Sequence, residues 1–346
     1  MSKFRVALSW DFRLPDGSPS MPDFSFARLE ADPDVEYAYV GGGPVLGADE
    51  LAGFDALILM MPRFGGQSVP KDGRLSIIAR GGVGYDTVDL DACTENGTAL
   101  VIAPDSVRRP VAVSVVTLLL ALTGRLLDMD RITRRGPWND RTEYTGIGLI
   151  GRTFGQIGIG NIGSEVVRLI KPFDMRVIAH DPYVDPTKAD DLGIELVDRD
   201  TLFRTSDFIS VCCPLNEETR GLVNAERLAE MKPSALLINT SRGPVVDQAD
   251  LTRALQERRI AGAGLDVLEK EPPDPDDPIL RLDNVILAPH ALCWTDQLFS
   301  VMADKDIDAV LDVMHGRVPR NIVNTAVCDS PKFTAKLAAY RERFGG

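Results

Sequence analysis

The stretch TFGQIGIGNIGSEVVRLI, residues 153–170, places three glycines between an apolar run and a helical pattern. Gly158, Gly160 and Gly163 have the G-x-G-x-x-G spacing, which gains mechanical meaning when it follows a strand and opens a helix. The first glycine then permits a tight turn, the second lets the backbone approach a pyrophosphate, and the third lets the helix pack on the strand. The alternative is a glycine-rich turn between any strand and any helix.

The next apolar run decides between these interpretations. MRVIAHDPY, residues 175–183, presents Asp181 18 residues after Gly163. A carboxylate at about 20 residues from the glycines accepts hydrogen bonds from the adenosine ribose. It also repels a 2′-phosphate, so NAD is favoured over NADP. The alternative for Asp181 is a solvated turn residue, but glycines, helix and acid in one register predict that the chain binds NAD.

Short apolar runs alternate with longer helical patterns along the whole chain. Several runs are apolar on both faces, as expected for parallel strands covered by helices. The alternation predicts an α/β protein with open, doubly wound parallel sheets. Strands are predicted at 4–8, 55–60, 75–80, 99–103, 154–160, 175–180, 207–213, 235–240, 262–268 and 284–288, and helices at 161–170, 224–232 and 247–259.

The length of 346 residues predicts two domains, because single cores stop growing near about 250–300 residues. Two long helices mark the seams, one after Pro110 and one after the segment HALCWT at 290–295. We expect a dinucleotide-binding Rossmann domain at 108–292, inserted into a discontinuous substrate domain at 1–107 and 293–328. Residues 329–346 are left as a C-terminal tail. The apolar segment 110–122 is shorter than the roughly 20 residues of a bilayer span, so a buried helix is expected.

Composition limits the partners and the compartment. The net charge of −13 weighs against nucleic acid and anionic membranes as general partners. The five cysteines are odd in number and lack C-x-x-C spacing, which favours a reducing cytoplasm. The N-terminal residues show no signal-peptide pattern, and no metal site is predicted.

Three strand ends carry side chains suited to chemistry, and ligands of doubly wound sheets bind at such ends. LLINTSRGPVVD presents Arg242, GLDVLEKEPP leads to Glu271, and VILAPH presents His290. His290 is the best candidate for proton transfer near neutral pH, since the two other histidines lie beside the ribose acid and at a helix end. Glu271 is the candidate carboxylate that holds the imidazole, and the planar fork of Arg242 suits a substrate carboxylate. The alternative is that Arg242 and Glu271 are ordinary surface charges and that His290 is a strand-end residue without a chemical role.

Six motifs in this order resemble the D-isomer-specific 2-hydroxyacid dehydrogenases, a family that includes phosphoglycerate dehydrogenase and the hydroxypyruvate and glyoxylate reductases. They are GQIGIGNIG, HDPY, PLNEETRGLVN, INTSRGPVVD, GAGLDVLEKEPP and ILAPH. The resemblance runs from about residue 80 to 324. It implies a small 2-hydroxyacid or 2-oxoacid substrate and a homodimer paired through the cofactor domains.

The resemblance also implies roles for individual residues. Arg242 engages the substrate carboxylate and carbonyl, His290 is the acid/base, and Glu271 orients it, with Glu269 as the second candidate for that last role. Backbone at Val83 and Gly84 holds the substrate carboxylate. Independently of the resemblance, Arg63 in MMPRF lies at another apparent strand end and is the alternative carboxylate binder if Arg242 is not. The implied cofactor-binding residues are Gly158, Gly160, Asn161, Ile162, Gly163, Asp181, Cys212, Pro214, Thr219, Thr240 and Asp266.

Two other functions remain open from the sequence alone. One is a catalytically silent protein of the same fold that senses NAD(H), which the presence of Arg242, Glu271 and His290 disfavours. The other is a related reaction such as formate oxidation. Relatives of that kind carry glutamine as the partner of the histidine, so Glu271 disfavours it.

Overall fold

The computed structural model describes residues 3–345, and the chain divides into two compact units. Residues 3–107 and 294–345 form one, here called the discontinuous unit, and residues 108–293 form the other, the inserted unit. Each is built on its own parallel sheet. The α/β class with two doubly wound sheets predicted from the sequence is confirmed.

The strands are short and most are buried on both faces. Their bounds are β1 Phe4–Ser9, β2 Val35–Val40, β3 Ala56–Leu59, β4 Ile77–Arg80, β5 Ala99–Ile102, β6 Thr153–Ile157, β7 Arg176–His180, β8 Glu195–Leu196, β9 Phe208–Val211, β10 Leu236–Asn239, β11 Gly262–Leu265 and β12 Val285–Leu287.

The α-helices vary from single turns to five turns. Their bounds are α1 Ala27–Glu30, α2 Leu90–Asn96, α3 Pro104–Thr123, α4 Leu126–Arg135, α5 Asn161–Ile170, α6 Pro186–Leu192, α7 Arg199–Thr205, α8 Ala225–Glu230, α9 Gln248–Gln256, α10 Asp296–Met314 and α11 Pro331–Phe344.

In each sheet the order in which successive strands are added reverses at one point. Doubly wound folds bind ligands at this switch point. The discontinuous unit has the strand order β2-β1-β3-β4-β5, and the inserted unit has β12-β11-β10-β9-β6-β7-β8. In the inserted unit the order reverses between β6 and β9, which pair in parallel from Phe154 opposite Phe208 to Ile157 opposite Val211. The loops after β6 and β9 therefore border the expected cofactor crevice.

Helix α3 contains the apolar segment that the sequence predicts to be buried. It begins at Pro104, so Pro110 lies inside it. By length and composition it could cross a membrane. Its residues Ala112, Val115 and Leu119 are instead buried in the core of the inserted unit. This packing accounts for its apolar composition.

The segment predicted as a separate C-terminal tail belongs to the discontinuous unit; its last residue, 346, lies outside the described residues. Helix α11 buries Phe333 and Leu337. Its Lys336 Nζ donates hydrogen bonds to three backbone carbonyls at Leu75, Asn96 and Gly97. Lys336 thus fastens this segment to the unit.

Candidate active site

The glycine turn after β6 is shaped by close approaches that exclude side chains. Gly158 has φ +86°, and a Cβ there would lie 2.8 Å from the carbonyl oxygen of Cys212. A Cβ on Gly163 would lie 2.1 Å from the carbonyl oxygen of Gly158. Only glycine fits at either position, so the loop after β6 lies directly against the loop after β9 and helix α5 packs tightly on its own turn.

The N-terminus of α5 lacks the side-chain cap that six other α-helices of the chain have. Gly160 is its N-cap and supplies no side-chain hydrogen bond. Six other helices are capped by a side-chain oxygen, from Asp89, Asp185, Asp198, Asn224, Asp247 and Thr295. The amides of the first turn of α5, at Asn161, Ile162 and Gly163, therefore have no capping side chain, which suits a phosphate ligand.

Asp181 lies beside the glycine turn. Its Oδ2 accepts a hydrogen bond from the Ile159 amide at 2.7 Å, and its Oδ1 accepts one from the Tyr183 amide at 3.0 Å. The carboxylate is thus fixed at the end of β7, next to the loop that would hold the phosphates. Across the switch point, Thr219 Oγ1 donates to the Pro214 carbonyl at 2.6 Å and closes the turn after β9.

Thr240 and Asp266 follow β10 and β11, as the resemblance implies for the nicotinamide end. The Thr240 Oγ1 atom is buried and has no hydrogen-bond partner within residues 3–345. Buried hydroxyls are rarely left without a partner, so this atom is suited to a bound group. Together with the uncapped helix and the placed Asp181, this means that the inserted unit fits NAD.

The structure brings His290 and Glu271 together. His290 Nδ1 lies 2.7 Å from Glu271 Oε2, and Glu271 Oε1 accepts a hydrogen bond from the Leu268 amide at 2.9 Å. Burial opposes ionisation of Glu271, but the hydrogen bonds from His290 and Leu268 and the charge of Arg242 outweigh it and hold the pKa of Glu271 below its usual value. Glu271 is therefore an ionised partner for the imidazole.

The backbone of Glu269 has a different hydrogen-bond partner. Its backbone amide donates to Gln248 Oε1 at 2.9 Å, and the residue is exposed. Of the two candidate carboxylates, the structure places Glu271 against His290.

Asp266 fixes the backbone of His290. This role of Asp266 could not be predicted from the sequence. His290 has φ +55°, a conformation that is uncommon for residues other than glycine. Its amide donates to the Asp266 carbonyl at 2.7 Å, and the amides of Ala291 and Leu292 both donate to Asp266 Oδ1 at 3.1 Å. Burial raises the pKa of Asp266, against the effect of these two amides. An acid that directly follows an apolar strand is the available sequence signal.

Arg242 is presented by a tight turn after β10. Asn239, the last residue of that strand, donates from Nδ2 to the Arg242 carbonyl at 3.0 Å and accepts from the Ser241 amide at 3.0 Å. A Cβ on Gly243 would lie 1.9 Å from the Leu268 carbonyl oxygen, so this turn lies against the segment that carries Glu271. Arg242, Glu271 and His290 are therefore gathered at one edge of the inserted unit.

The remaining predicted residues lie in the discontinuous unit. Val83 and Gly84 are in the loop after β4, and Arg63 is an exposed residue after β3. The Phe64 amide donates to the Thr87 carbonyl at 3.0 Å, which joins the two loops. Arg63 and the Val83–Gly84 backbone therefore belong to neighbouring loops at the carboxyl ends of adjacent strands.

The chain is similar to proteins of one known family. The model of the D-isomer specific 2-hydroxyacid dehydrogenase NAD-binding domain matches residues 116–291. The chain belongs to this family. The dehydrogenase is 40% identical over 264 residues to the glyoxylate reductase of Korarchaeum cryptofilum. The aligned region covers 75% of this chain and 79% of the relative. The family and the NAD cofactor predicted from the sequence are confirmed.

Two further relatives extend the comparison. The D-3-phosphoglycerate dehydrogenase of Archaeoglobus fulgidus is 38% identical over 250 residues, 72% of this chain and 47% of the relative. The dehydrogenase thus spans about half the length of that protein. The structure of a D-isomer specific 2-hydroxyacid dehydrogenase from Lactobacillus delbrueckii in its NAD-complexed form superposes with a TM-score of 0.73 at 25% identity, covering 92% of this chain and 99% of that one.

Proposed function

We propose that this NAD-dependent dehydrogenase interconverts a small D-2-hydroxyacid and its 2-oxoacid with His290 as acid/base, Glu271 as its orienting carboxylate and Arg242 as the ligand of the substrate carboxylate. The observation that carries the proposal is the 2.7 Å contact between His290 Nδ1 and Glu271 Oε2 at the strand ends that also present Arg242. The five cysteines are all free, which supports a cytoplasmic location.

The chemistry of His290 follows from its partner. NAD held by the glycine turn and Asp181 would supply the hydride acceptor for oxidation of the substrate carbon, and NADH the hydride donor for reduction. The proton on the substrate oxygen goes to His290 Nε2, because Nδ1 faces Glu271. The Glu271 carboxylate fixes the tautomer and stabilises the imidazolium that forms. In reduction the same imidazolium gives its proton to the carbonyl oxygen.

Arg242 provides orientation and polarisation. Its guanidinium presents parallel donors that match a carboxylate or the adjacent carbonyl oxygen. The backbone amides of Val83 and Gly84 are proposed as further donors to the substrate carboxylate, and Arg63 as the alternative binder. These assignments rest on the family resemblance and on the positions of the loops.

A spectrophotometric screen of 2-oxoacids with NADH and NADPH tests the proposed reaction and the cofactor preference together. We expect reduction of at least one small 2-oxoacid, with kcat/KM higher for NADH by about tenfold or more, because Asp181 would face the extra phosphate of NADPH and like charges in contact cost several kcal/mol. Arg176, the nearest cation on the same strand, pairs with Glu195 at 2.5 Å. Asp181→Asn should lower the ratio of kcat/KM with NADH to kcat/KM with NADPH.

Asp185→Asn is the matched control for this screen, because Asp185 is a nearby exposed acid that caps α6. It should leave the cofactor ratio unchanged. A parent enzyme that prefers NADPH would show that Asp181 does not meet the ribose, and a parent that reduces none of the oxoacids would refute the proposed reaction.

A homodimer through the inserted unit is the second part of the proposal. Helix α4 and the segments around it expose large apolar side chains, among them Leu127 at 56% and Trp138 at 62%. Light scattering should give twice the chain mass of 37.7 kDa, and Leu127→Asp should shift the protein toward the monomer. Leu14→Asp, at an exposed leucine of the discontinuous unit, is the control. A monomeric parent at micromolar concentration would contradict the dimer.

A further inference from the structure

Helix α6 contributes one lysine to the glycine turn after β6. Lys188 lies in the first turn of α6 and is half-buried. Its Nζ donates a hydrogen bond to the Ile159 carbonyl at 2.7 Å. Ile159 is the residue between the first two glycines of the turn, so Lys188 contacts the loop that would hold the dinucleotide phosphates. None of the roles assigned so far uses this side chain.

Both backbone polar groups of Ile159 are held by side chains from other elements. Its amide donates to Oδ2 of Asp181, at the end of β7, at 2.7 Å. Its carbonyl accepts from Lys188 of α6, and also from Ser164 Oγ of α5 at 3.1 Å. The peptide units on the two sides of Ile159 are therefore each fixed in direction by hydrogen bonds.

Apolar packing alone would dock α6 but would not orient this carbonyl. Ala189, the next residue of α6, is 1% exposed and packs in one cluster with Ile159 and Val167. Hydrophobic contact is not directional, whereas a hydrogen bond depends on the direction of both groups. Lys188 therefore supplies an orientation that the buried face of α6 cannot.

No carboxylate neutralises the charge of Lys188. No ion pair within residues 3–345 includes it. Asp185, which precedes α6, caps the helix instead by accepting from the Thr187 amide at 2.9 Å. An ammonium group has three donors, and the Ile159 carbonyl accepts from one of them. The charge thus remains beside a turn that is expected to hold an anionic pyrophosphate.

We propose that Lys188 is a positioning residue for the dinucleotide: it holds the Ile159 carbonyl from α6 while Asp181 holds the Ile159 amide, and the two contacts fix the shape of the turn between Gly158 and Gly160. A loop that is already ordered binds its ligand more tightly, because less conformational freedom is lost on binding. The inference goes beyond the proposed reaction, and only the placement of the adenosine ribose at Asp181 rests on the proposed function.

Hydrogen exchange of the ligand-free protein tests whether Lys188 holds the turn. Lys188→Met keeps a long unbranched side chain but removes the hydrogen bond and the charge. Amide exchange in the peptide covering 157–163 should quicken by about threefold or more. Lys171→Met is the matched control, because Lys171 is an exposed lysine at the opposite end of α5. It should leave the exchange of this peptide at the parent rate.

Titration with NADH and with ADP measures the consequence for the cofactor. Lys188→Met should raise both dissociation constants by about fivefold or more, as expected for one lost hydrogen bond. The two factors should be equal, because ADP carries the adenosine and pyrophosphate groups that lie at the turn. At saturating NADH, kcat and the KM of the oxoacid should stay at parent values. Lys188→Arg keeps a charged donor and should restore most of the affinity.

A purely structural lysine would give a different pattern. Lys188→Met would then lower the thermal midpoint of unfolding and leave the dissociation constants of NADH and ADP unchanged, and this result would overturn the proposal. Equal losses of NADH affinity in Lys188→Arg and Lys188→Met would also overturn it, as would a loss that affects NADH but not ADP.

Failure of the proposed function would be seen separately. If the parent protein reduces no 2-oxoacid, the proposed reaction is refuted, and if it prefers NADPH, the contact of Asp181 with the ribose is refuted. In both cases the exchange of 157–163 and the titration with ADP still decide the role of Lys188, because neither measurement requires turnover.

Discussion

The His290→Gln enzyme is expected to lose about 100-fold or more of kcat, in line with the ~10²–10⁴ contribution of general acid–base catalysis. Glutamine retains hydrogen-bonding capacity near Glu271 but cannot carry the proton between substrate and solvent. KM for the oxoacid and the affinity for NADH should change little, because Arg242 and the glycine turn are untouched. Steady-state kinetics with the best 2-oxoacid, together with NADH titration, measures all three quantities.

Glu271→Gln is the matched variant for this prediction. The imidazole survives, so more activity should remain than in His290→Gln. Without the carboxylate at 2.7 Å the imidazole is no longer fixed in one tautomer, and its protonated form loses its counter-charge. The kcat of Glu271→Gln should therefore lie between that of the parent and that of His290→Gln.

One result would remove His290 from the mechanism. A folded His290→Gln protein that binds NADH and reduces its best 2-oxoacid at the parent rate would leave the residue as a strand-end side chain held by Asp266. The contact with Glu271 would then be an exposed ion pair of the kind that contributes little to stability.

Arg242→Lys should have the second-largest effect, a fall in kcat/KM of about tenfold to 100-fold, since hydrogen bonds to charged groups contribute about 1.5–3 kcal/mol. Lysine keeps the positive charge but lacks the planar fork that binds two oxygens at once. We expect KM to rise and kcat to fall together, because the interaction serves both the ground state and the polarised carbonyl. Binding of NADH should stay at the parent level.

The control for this substitution is Arg253→Lys on α9, where the arginine is exposed and pairs with Asp250. It should leave both constants unchanged. If Arg242→Lys also leaves them unchanged, Arg242 is not a substrate ligand, and Arg63 of the discontinuous unit becomes the leading carboxylate binder.

Features with a local physical cause could be predicted from the sequence. The predicted strands at 55–60 and 235–240 correspond to β3 and β10, since runs that are apolar on both faces have few other stable arrangements. The strand at 154–160 was predicted too long, because the ladder ends at Ile157 and the glycine turn begins there. Strand β2 was not predicted, because VEYAYV carries a polar face and pairs on one side only, at the edge of its sheet.

Features that depend on contacts between residues far apart in the chain could not be predicted from the sequence. The docking of α11 depends on carbonyls at Leu75, Asn96 and Gly97, more than 230 residues away from Lys336 in sequence. The burial of Asp306 depends on which face of α10 packs against β4. A single acid within a charged helix has no local pattern that distinguishes a core position from a solvated one, so the tertiary structure is needed to find it.

The glycine N-cap of α5 also links the folding equilibrium to the supply of cofactor. A serine or aspartate in place of an N-cap glycine stabilises a helix by roughly a few tenths of a kcal/mol, and the chain forgoes that gain where the dinucleotide phosphates are to bind. The ligand then supplies what the side chain does not, and a ligand that binds only the native state stabilises it by about 2.7 kcal/mol at 100 times its dissociation constant. In cells depleted of dinucleotide the free energy of unfolding of the enzyme would therefore be lower, and a larger unfolded fraction would be exposed to proteolysis.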